Sequence, residues 1–162
     1  MLIRSALPGD LSTVADIYAD EVEHGTATFD TTPPAPESWA QKATDDTPGH
    51  HLLVAVQDGA VLGFAYSVAY RARGAYAQTK ETSIYLGAAA QGRGVGTTLY
   101  AALLDRLRDD GIYTVIAVIA SPNPASAALH RALGFEQAGA LRRVGYKFGR
   151  RLDTEFWQLM LG

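Results

Sequence analysis

Gln91-Gly92-Arg93-Gly94-Val95-Gly96 is the stretch whose reading decides the fold. An extended segment, Glu81–Leu86, leads into it, and an amphipathic segment, Thr97–Asp110, leads out. A glycine-rich turn at the mouth of a helix presents backbone N–H groups that have no partner inside the helix. The helix dipole adds partial positive charge at the same place. Phosphate or pyrophosphate is the guest that suits such a site.

The exact glycine spacing separates the candidate turns. A P-loop needs a lysine and a hydroxyl residue after its last glycine, and no lysine follows Gly96. A dinucleotide turn needs a third glycine where Thr97 stands, and an acidic residue about 20 positions on. Between Gly111 and Phe135 there is no Asp or Glu. What remains is a Gln/Arg-x-x-Gly-x-Gly/Ala turn, matched by Gln91, Gly94 and Gly96, or a plain tight turn with no ligand.

Composition narrows the setting. The chain has 162 residues, is 48% hydrophobic and 19% charged, and carries a net charge of −3, which describes one globular domain spanning 1–162. That charge supplies no basic field for nucleic acid. No apolar run approaches the roughly 18 residues of a membrane helix, and Met1–Asp10 has no signal-peptide pattern. A soluble cytoplasmic protein is the expectation. There is no cysteine, hence no disulfide, thiolate metal site or cysteine nucleophile.

Working outward from the turn, periodicity predicts strands at Leu2–Ala6, His51–Gln57, Val61–Tyr70, Gln78–Leu86, Ile112–Ala120, Phe135–Gly145 and Asp153–Leu161. Helices are predicted from Leu11 to about His24, over Pro36–Asp46, after the glycine turn, and from Pro124. Asp10 is the expected N-cap of the first helix and Asn123 that of the last. Asp58-Gly59 is a hairpin turn, Gly111 and Gly134 are helix stops, and Ile112–Ala120 is apolar enough to lie centrally. The order β-α-α-β-β-β-α-β-α-β-β makes a mixed α/β (α+β) domain with a largely antiparallel, twisted sheet flanked by helices.

The Gln91–Gly96 turn, followed by Asn123-Pro124-Ala125-Ser126 and Leu129-His130-Arg131-Ala132-Leu133-Gly134-Phe135, resembles the GNAT superfamily of acyl-CoA-dependent N-acyltransferases. Four further blocks are similar to the phosphinothricin N-acetyltransferase family. They are Thr26–Phe29, Tyr70–Arg73, Glu81–Leu86 and Val144–Arg150, in family order across nearly the whole chain. Gly87–Ala90 departs from that family, where proline or charged residues usually precede the Gln.

The resemblance implies acetyl-CoA as co-substrate and no metal. Gln91, Gly92, Arg93, Gly94, Val95, Gly96 and Thr97 would ring the pyrophosphate. Extended Ile84, Tyr85 and Leu86 would pair with the pantetheine amides, which needs a splay or bulge in the sheet. Asn123 and Ser126 would border the same arm. Strand alternation puts Glu81, Ser83 and Tyr85 on one face, where burial would raise the carboxyl pKa. The family resemblance assigns Glu81 as general base; a solvent-facing strand Glu is the alternative. His130 stands where many superfamily members place a proton-donating tyrosine. A base role shared with Glu81 is implied, against a histidine simply hydrogen-bonded within the fold.

Arg71 and Arg73 suit an anionic acceptor group, or are solvated loop charges. Phe29 would wall the acceptor pocket, or anchor its loop. Lys147 and Arg150 could meet anions, or lie in a hairpin or subunit contact. Trp39 and Trp157 belong to core or interface, and His24, His50 and His51 to surface or cap positions. The expected activity is N-acetylation of a small amino-acid-like α-amine such as phosphinothricin or methionine sulfoximine, by a homodimer. A CoA-binding sensor without turnover, or acetylation of another amine class, is the alternative.

Overall fold

Apolar alternation builds a seven-stranded sheet in the computed structural model, which describes residues 1–162. In chain order the elements are β1 (Leu2–Ser5), α1 (Leu11–His24), α2 (Pro36–Thr44), β2 (His51–Gln57), β3 (Ala60–Ala69), β4 (Thr79–Leu86), α3 (Val95–Asp109), β5 (Thr114–Ser121), α4 (Pro124–Ala132), β6 (Glu136–Lys147) and β7 (Arg150–Met160). The strand order is β1-β2-β3-β4-β5-β7-β6, and only β4 and β5 run parallel. The mixed, largely antiparallel architecture matches the expectation, with β5 inside the sheet.

Each face of the sheet has its own core. α1 buries Val14, Tyr18 and Val22, a stripe repeating every four residues, against Trp39, Val54 and Phe64. On the other face α3 buries Leu99, Leu103 and Leu107 against Val115, Ala117 and Trp157. The clusters share β2 and β3, whose successive residues face opposite ways: Leu53 joins one cluster, Val54 the other. No helix is long and apolar enough to cross a membrane.

Two local expectations are corrected. Asp10 precedes α1 but makes no side-chain cap to it. A short 3-10 turn, Pro8–Asp10, runs straight into the helix, so the carboxylate points back. It accepts the Leu7 N–H at 2.7 Å and both terminal nitrogens of Arg4, tying the end of β1 to the start of α1. The last hairpin is also longer than expected. Gly145 had marked a strand end; instead β6 continues to Lys147 and pairs with Arg150 across a two-residue turn. That turn, Phe148-Gly149, holds positive φ at both positions, the geometry that matches strand twist. Gly145 stays in the strand because the Phe29 ring occupies its side-chain space: a Cβ there would lie 2.4 Å from Phe29.

Arg4 holds the Asp10 carboxyl below its ordinary 3.8. The folded state therefore binds fewer protons there than the unfolded chain, and the stabilisation is present above 3.8 and lost as pH falls below it. Asp10→Asn is expected to lower the urea midpoint at neutral pH and to flatten its acid dependence below about pH 4. Urea titrations at both pH values check this; parallel curves for the two proteins would contradict it.

Candidate active site

β4 and β5 pair only at Thr79–Glu81 against Thr114–Ile116. Beyond that rung β4 stays with β3 to Leu86, and β5 stays with β7 to Ser121. The two strands diverge, and each turns an unpaired backbone edge to the gap. The gap opens into a cleft of about 920 Å³ bordered by Thr82–Leu86, Ala117–Ala120, the glycine turn and the start of α4. That volume is at the upper end of the ~300–1,000 Å³ usual for small-molecule sites.

The turn sits at the mouth of the cleft. α3 begins at Val95, two residues earlier than expected, with Gly94 as a left-handed N-cap at φ +76° and no capping side chain. The first-turn N–H groups are thus left for a ligand. Gly96 allows α3 to close on the sheet, since a Cβ there would lie 3.3 Å from Leu86. Gln91, Gly92, Gly94, Gly96 and Thr97 line the cleft. Arg93 and Val95 do not: the Arg93 guanidinium donates to the Ala89 carbonyl, and Val95 is buried in the core. The buried Val95 side chain leaves only its backbone N–H to a ligand. The divergent Gly87–Ala90 stretch forms a short 3-10 turn, with the Gly87 N–H bonded to the Leu62 carbonyl.

α4 forms the opposite wall. Asn123 caps it as expected, its side-chain oxygen accepting the Ser126 N–H at 3.1 Å, and both residues line the cleft. One turn on, His130 is only 3% exposed. Its Nδ1 lies 2.7 Å from the Ser126 carbonyl, which can only accept, so Nδ1 carries the proton. Nε2 then accepts from the Tyr100 hydroxyl at 3.1 Å, and the Tyr100 oxygen accepts from Thr82 at 2.7 Å. Burial pushes the His130 pKa down and keeps the ring neutral.

Glu81 occupies the last rung before the strands part, opposite Val68 and Ile116. It is half-buried, and burial raises its pKa while nearby Arg71 opposes the rise. The register is regular, so Glu81 shares a face with Ser83 and Tyr85, on the α1 side where Tyr85 packs against Tyr18. Thr82, bonded to Tyr100, faces α3. Glu81 and His130 thus lie on opposite faces of β4, and no hydrogen bond joins them. Arg71 stacks on Tyr70 with its guanidinium carbon 5.1 Å from the ring centroid; Arg73 is exposed. Phe29 is 37% exposed and rests on Gly145. Neither Glu81 nor any of these last three residues borders the main cleft, although Thr82 next to Glu81, and Thr26 and Ala27 of the same loop as Phe29, do. Asp16, Asp20 and Glu21 of α1 also border it, whereas no Lys or Arg does. No cluster of His, Asp or Glu is gathered as a metal-ligand set.

The acetyltransferase (GNAT) family profile matches residues 14–135. The chain belongs to the GNAT family. It is 40% identical over 161 residues to a phosphinothricin N-acetyltransferase of Streptomyces coelicolor, covering 96% of this chain and 94% of that one. It is 39% identical over 163 residues to an L-methionine sulfoximine/L-methionine sulfone acetyltransferase of Pseudomonas aeruginosa, covering 98% and 94%. Among solved structures, the Sinorhizobium meliloti phosphinothricin acetyltransferase in complex with AcCoA superposes at a TM-score of 0.94 with 42% identity, over 99% of this chain and 88% of that one. The family resemblance read from the sequence blocks is borne out.

Three features of this GNAT site escape sequence reading. Tyr100 hides in the apolar stripe of α3, where only its hydroxyl signals a need for a buried partner. Thr82 was overshadowed by its neighbour Glu81. The α1 carboxylates belong to a helix face that periodicity marks as solvent.

Tyr100→Phe strands both His130 Nε2 and Thr82 Oγ1 and is expected to cost about 1–3 kcal/mol. The His130 pKa lies below its ordinary 6.5, so the unfolded chain binds the extra proton between the two values. Stability then falls as pH drops through 6.5 toward the folded pKa, and levels off below it. In His130→Gln that segment of the pH dependence disappears. Denaturant unfolding of both variants and the wild type at about pH 7.5 and 5.5 reads these effects.

Proposed function

We propose that the chain is a cytoplasmic enzyme that transfers an acetyl group from acetyl-CoA to the α-amine of a small amino-acid-like acceptor, phosphinothricin or methionine sulfoximine among them. The observation that carries this reading is the open edge of β4 beside an uncapped helix start. Ile84, Tyr85 and Leu86 offer backbone groups to an extended pantetheine arm, in the manner of an added strand. The turn from Gln91 to Thr97 offers N–H groups to the pyrophosphate. The acceptor class rests on the two groups of relatives named above and on Arg71 and Arg73, whose guanidinium forks suit a carboxylate or phosphinate. Phe29 walls that end.

Acetyl-CoA supplies an acetyl group as a thioester. Glu81 removes a proton from the acceptor ammonium, directly or through water. The freed amine forms the new N–C bond and then sheds a second proton; the C–S bond breaks, and sulfur leaves with its electron pair and takes up one proton. A backbone N–H near Leu86 faces the carbonyl oxygen as it gains charge. Transfer is direct, since the chain has no cysteine to hold an acetyl group. His130 is the second proton-handling residue; it borders the cleft itself and is joined through the Tyr100 hydroxyl to Thr82, which borders it too.

One observation favours a second acceptor class. Carboxylates of Asp16, Asp20 and Glu21, with no lysine or arginine, border the cleft, and this suits an amine carrying further positive charge. A panel of acceptors with acetyl-CoA and a thiol reagent separates the cases. CoA release with phosphinothricin or methionine sulfoximine supports the first reading. Release with polyamines or aminoglycosides alone selects the second, and no release with any amine overturns catalysis. With a working acceptor, Glu81→Gln is expected to lower kcat about 10²–10⁴-fold with the KM for acetyl-CoA unchanged. Activity needs the carboxylate, so wild-type kcat rises with pH through a Glu81 pKa lifted above 4.5, and the variant lacks that limb.

The active assembly we propose is a homodimer. β6 is an edge strand and exposes Leu141, Val144 and Tyr146, with Phe148 in the turn that follows; Tyr146 is 62% exposed. An apolar edge strand left open invites pairing or burial. Sedimentation of the wild type as a dimer, and of Val144→Glu/Tyr146→Glu as a folded monomer, is the expected result. A monomeric wild type at micromolar concentration refutes it.

A further inference from the structure

Lys147 is a buried lysine outside the main cleft. It is 5% exposed, and burial pushes its pKa down. An ammonium in such a place needs acceptors. Its Nζ donates to the Thr28 carbonyl at 3.0 Å and, more weakly, to the Glu21 carbonyl at 3.4 Å. It also lies 5.1 Å from the Phe148 ring centroid. Glu21 belongs to the last turn of α1, where the dipole favours a cation; its carbonyl already accepts the Gly25 N–H at 2.9 Å, and Lys147 adds a second, longer donor. Thus Lys147 bridges three separate pieces of chain: β6, the end of α1, and the loop that follows it.

That loop is held at Thr28 from the other side as well. The Tyr18 hydroxyl donates to Asp30 at 2.6 Å, and the Thr28 hydroxyl donates to Tyr18 at 2.7 Å. The Asp30 N–H returns to Thr28 Oγ1 at 3.1 Å, and the Glu21 carboxylate accepts the Ala27 N–H at 2.8 Å. The next side chain, Phe29, lands on Gly145. Gly145 and Lys147 are two apart on β6 and share one face of it. One seats the Phe29 ring, and the other holds the backbone immediately before it. Thr26 and Ala27, at the start of this loop, border the cleft.

We infer that Lys147 is a positioning residue for acceptor binding: it fixes the Thr26–Asp30 loop, and so Phe29, without touching the acceptor. The inference rests on the proposed reading of Phe29 as a wall of the acceptor pocket. A surface lysine recruiting anions would keep its ammonium in water; here the ammonium is spent on main-chain carbonyls.

Lys147→Met keeps the aliphatic stem and removes the donor. The acceptor KM is expected to rise at least about tenfold, with kcat and the KM for acetyl-CoA within about twofold. Amide hydrogen exchange at Ala27 and Asp30 should quicken. Lys147→Arg restores a donor and should recover part of the acceptor KM. Gly145→Ala leaves Lys147 in place but displaces the Phe29 ring, so it should raise the acceptor KM alone. It also serves if the Met variant fails to fold. An unchanged acceptor KM with unchanged loop exchange overturns the inference, as does a Met variant in which kcat and both KM values worsen together. If the wild type acetylates no amino-acid-like acceptor, the functional reading fails, and loop exchange in Lys147→Met then decides the positioning role by itself.

Discussion

The parting of β4 from β5 after Glu81 is the constraint on which the rest of the structure depends. Backbone N–H and C=O groups in a sheet interior ordinarily find partners on both sides. Here Thr82–Leu86 and Ala117–Ser121 each keep one partner strand and give up the other. The gap is affordable because the sheet is continuous below it and both faces are covered by helices. It also fixes three positions at once. Glu81 stands at the vertex, the first turn of α3 stands beside one edge, and the capped start of α4 stands beside the other.

Around that gap, polar side chains are buried in closed sets. On the α3 face, Thr82, Tyr100 and His130 pass hydrogen bonds inward to a main-chain carbonyl of α4. On the α1 face, buried Tyr18 and Thr28, with Asp30 at the exposed end, hold a loop in the same way. The hydrophobic clusters packed around them offer few alternative partners. Low dielectric makes such bonds stiff and makes a missing partner expensive. At the other end of the cleft the first turn of α3 presents main-chain N–H groups, and no lysine or arginine lines the cleft.

What was legible in the sequence was local. The glycine spacing, the apolar runs and the Asn123-Pro124 start of α4 each depend on a few adjacent residues, and the elements they specify are present. What was not legible depends on residues far apart in sequence. Asp10 looked like a cap because it precedes a helix, but Arg4 and Leu7 compete for its carboxylate. Gly145 looked like a strand end because glycine usually weakens strands, but Phe29, more than a hundred positions away, needs its missing side chain. Lys147 reads in the sequence as an anion contact or as part of a hairpin or subunit contact, because its acceptors lie far away in sequence, on α1 and the following loop.

The opposed placement of Glu81 and His130 bears on the chemistry proposed for the site. One residue faces the α1 side, which also carries Asp16, Asp20 and the Phe29 loop. The other faces the α3 and α4 side, where Asn123 and Ser126 border the cleft. Their electrostatics differ too: burial raises the affinity of Glu81 for a proton and lowers that of His130. A base shared between them would require a proton path through the plane of β4, and the strand is hydrogen-bonded to β3 along that whole stretch.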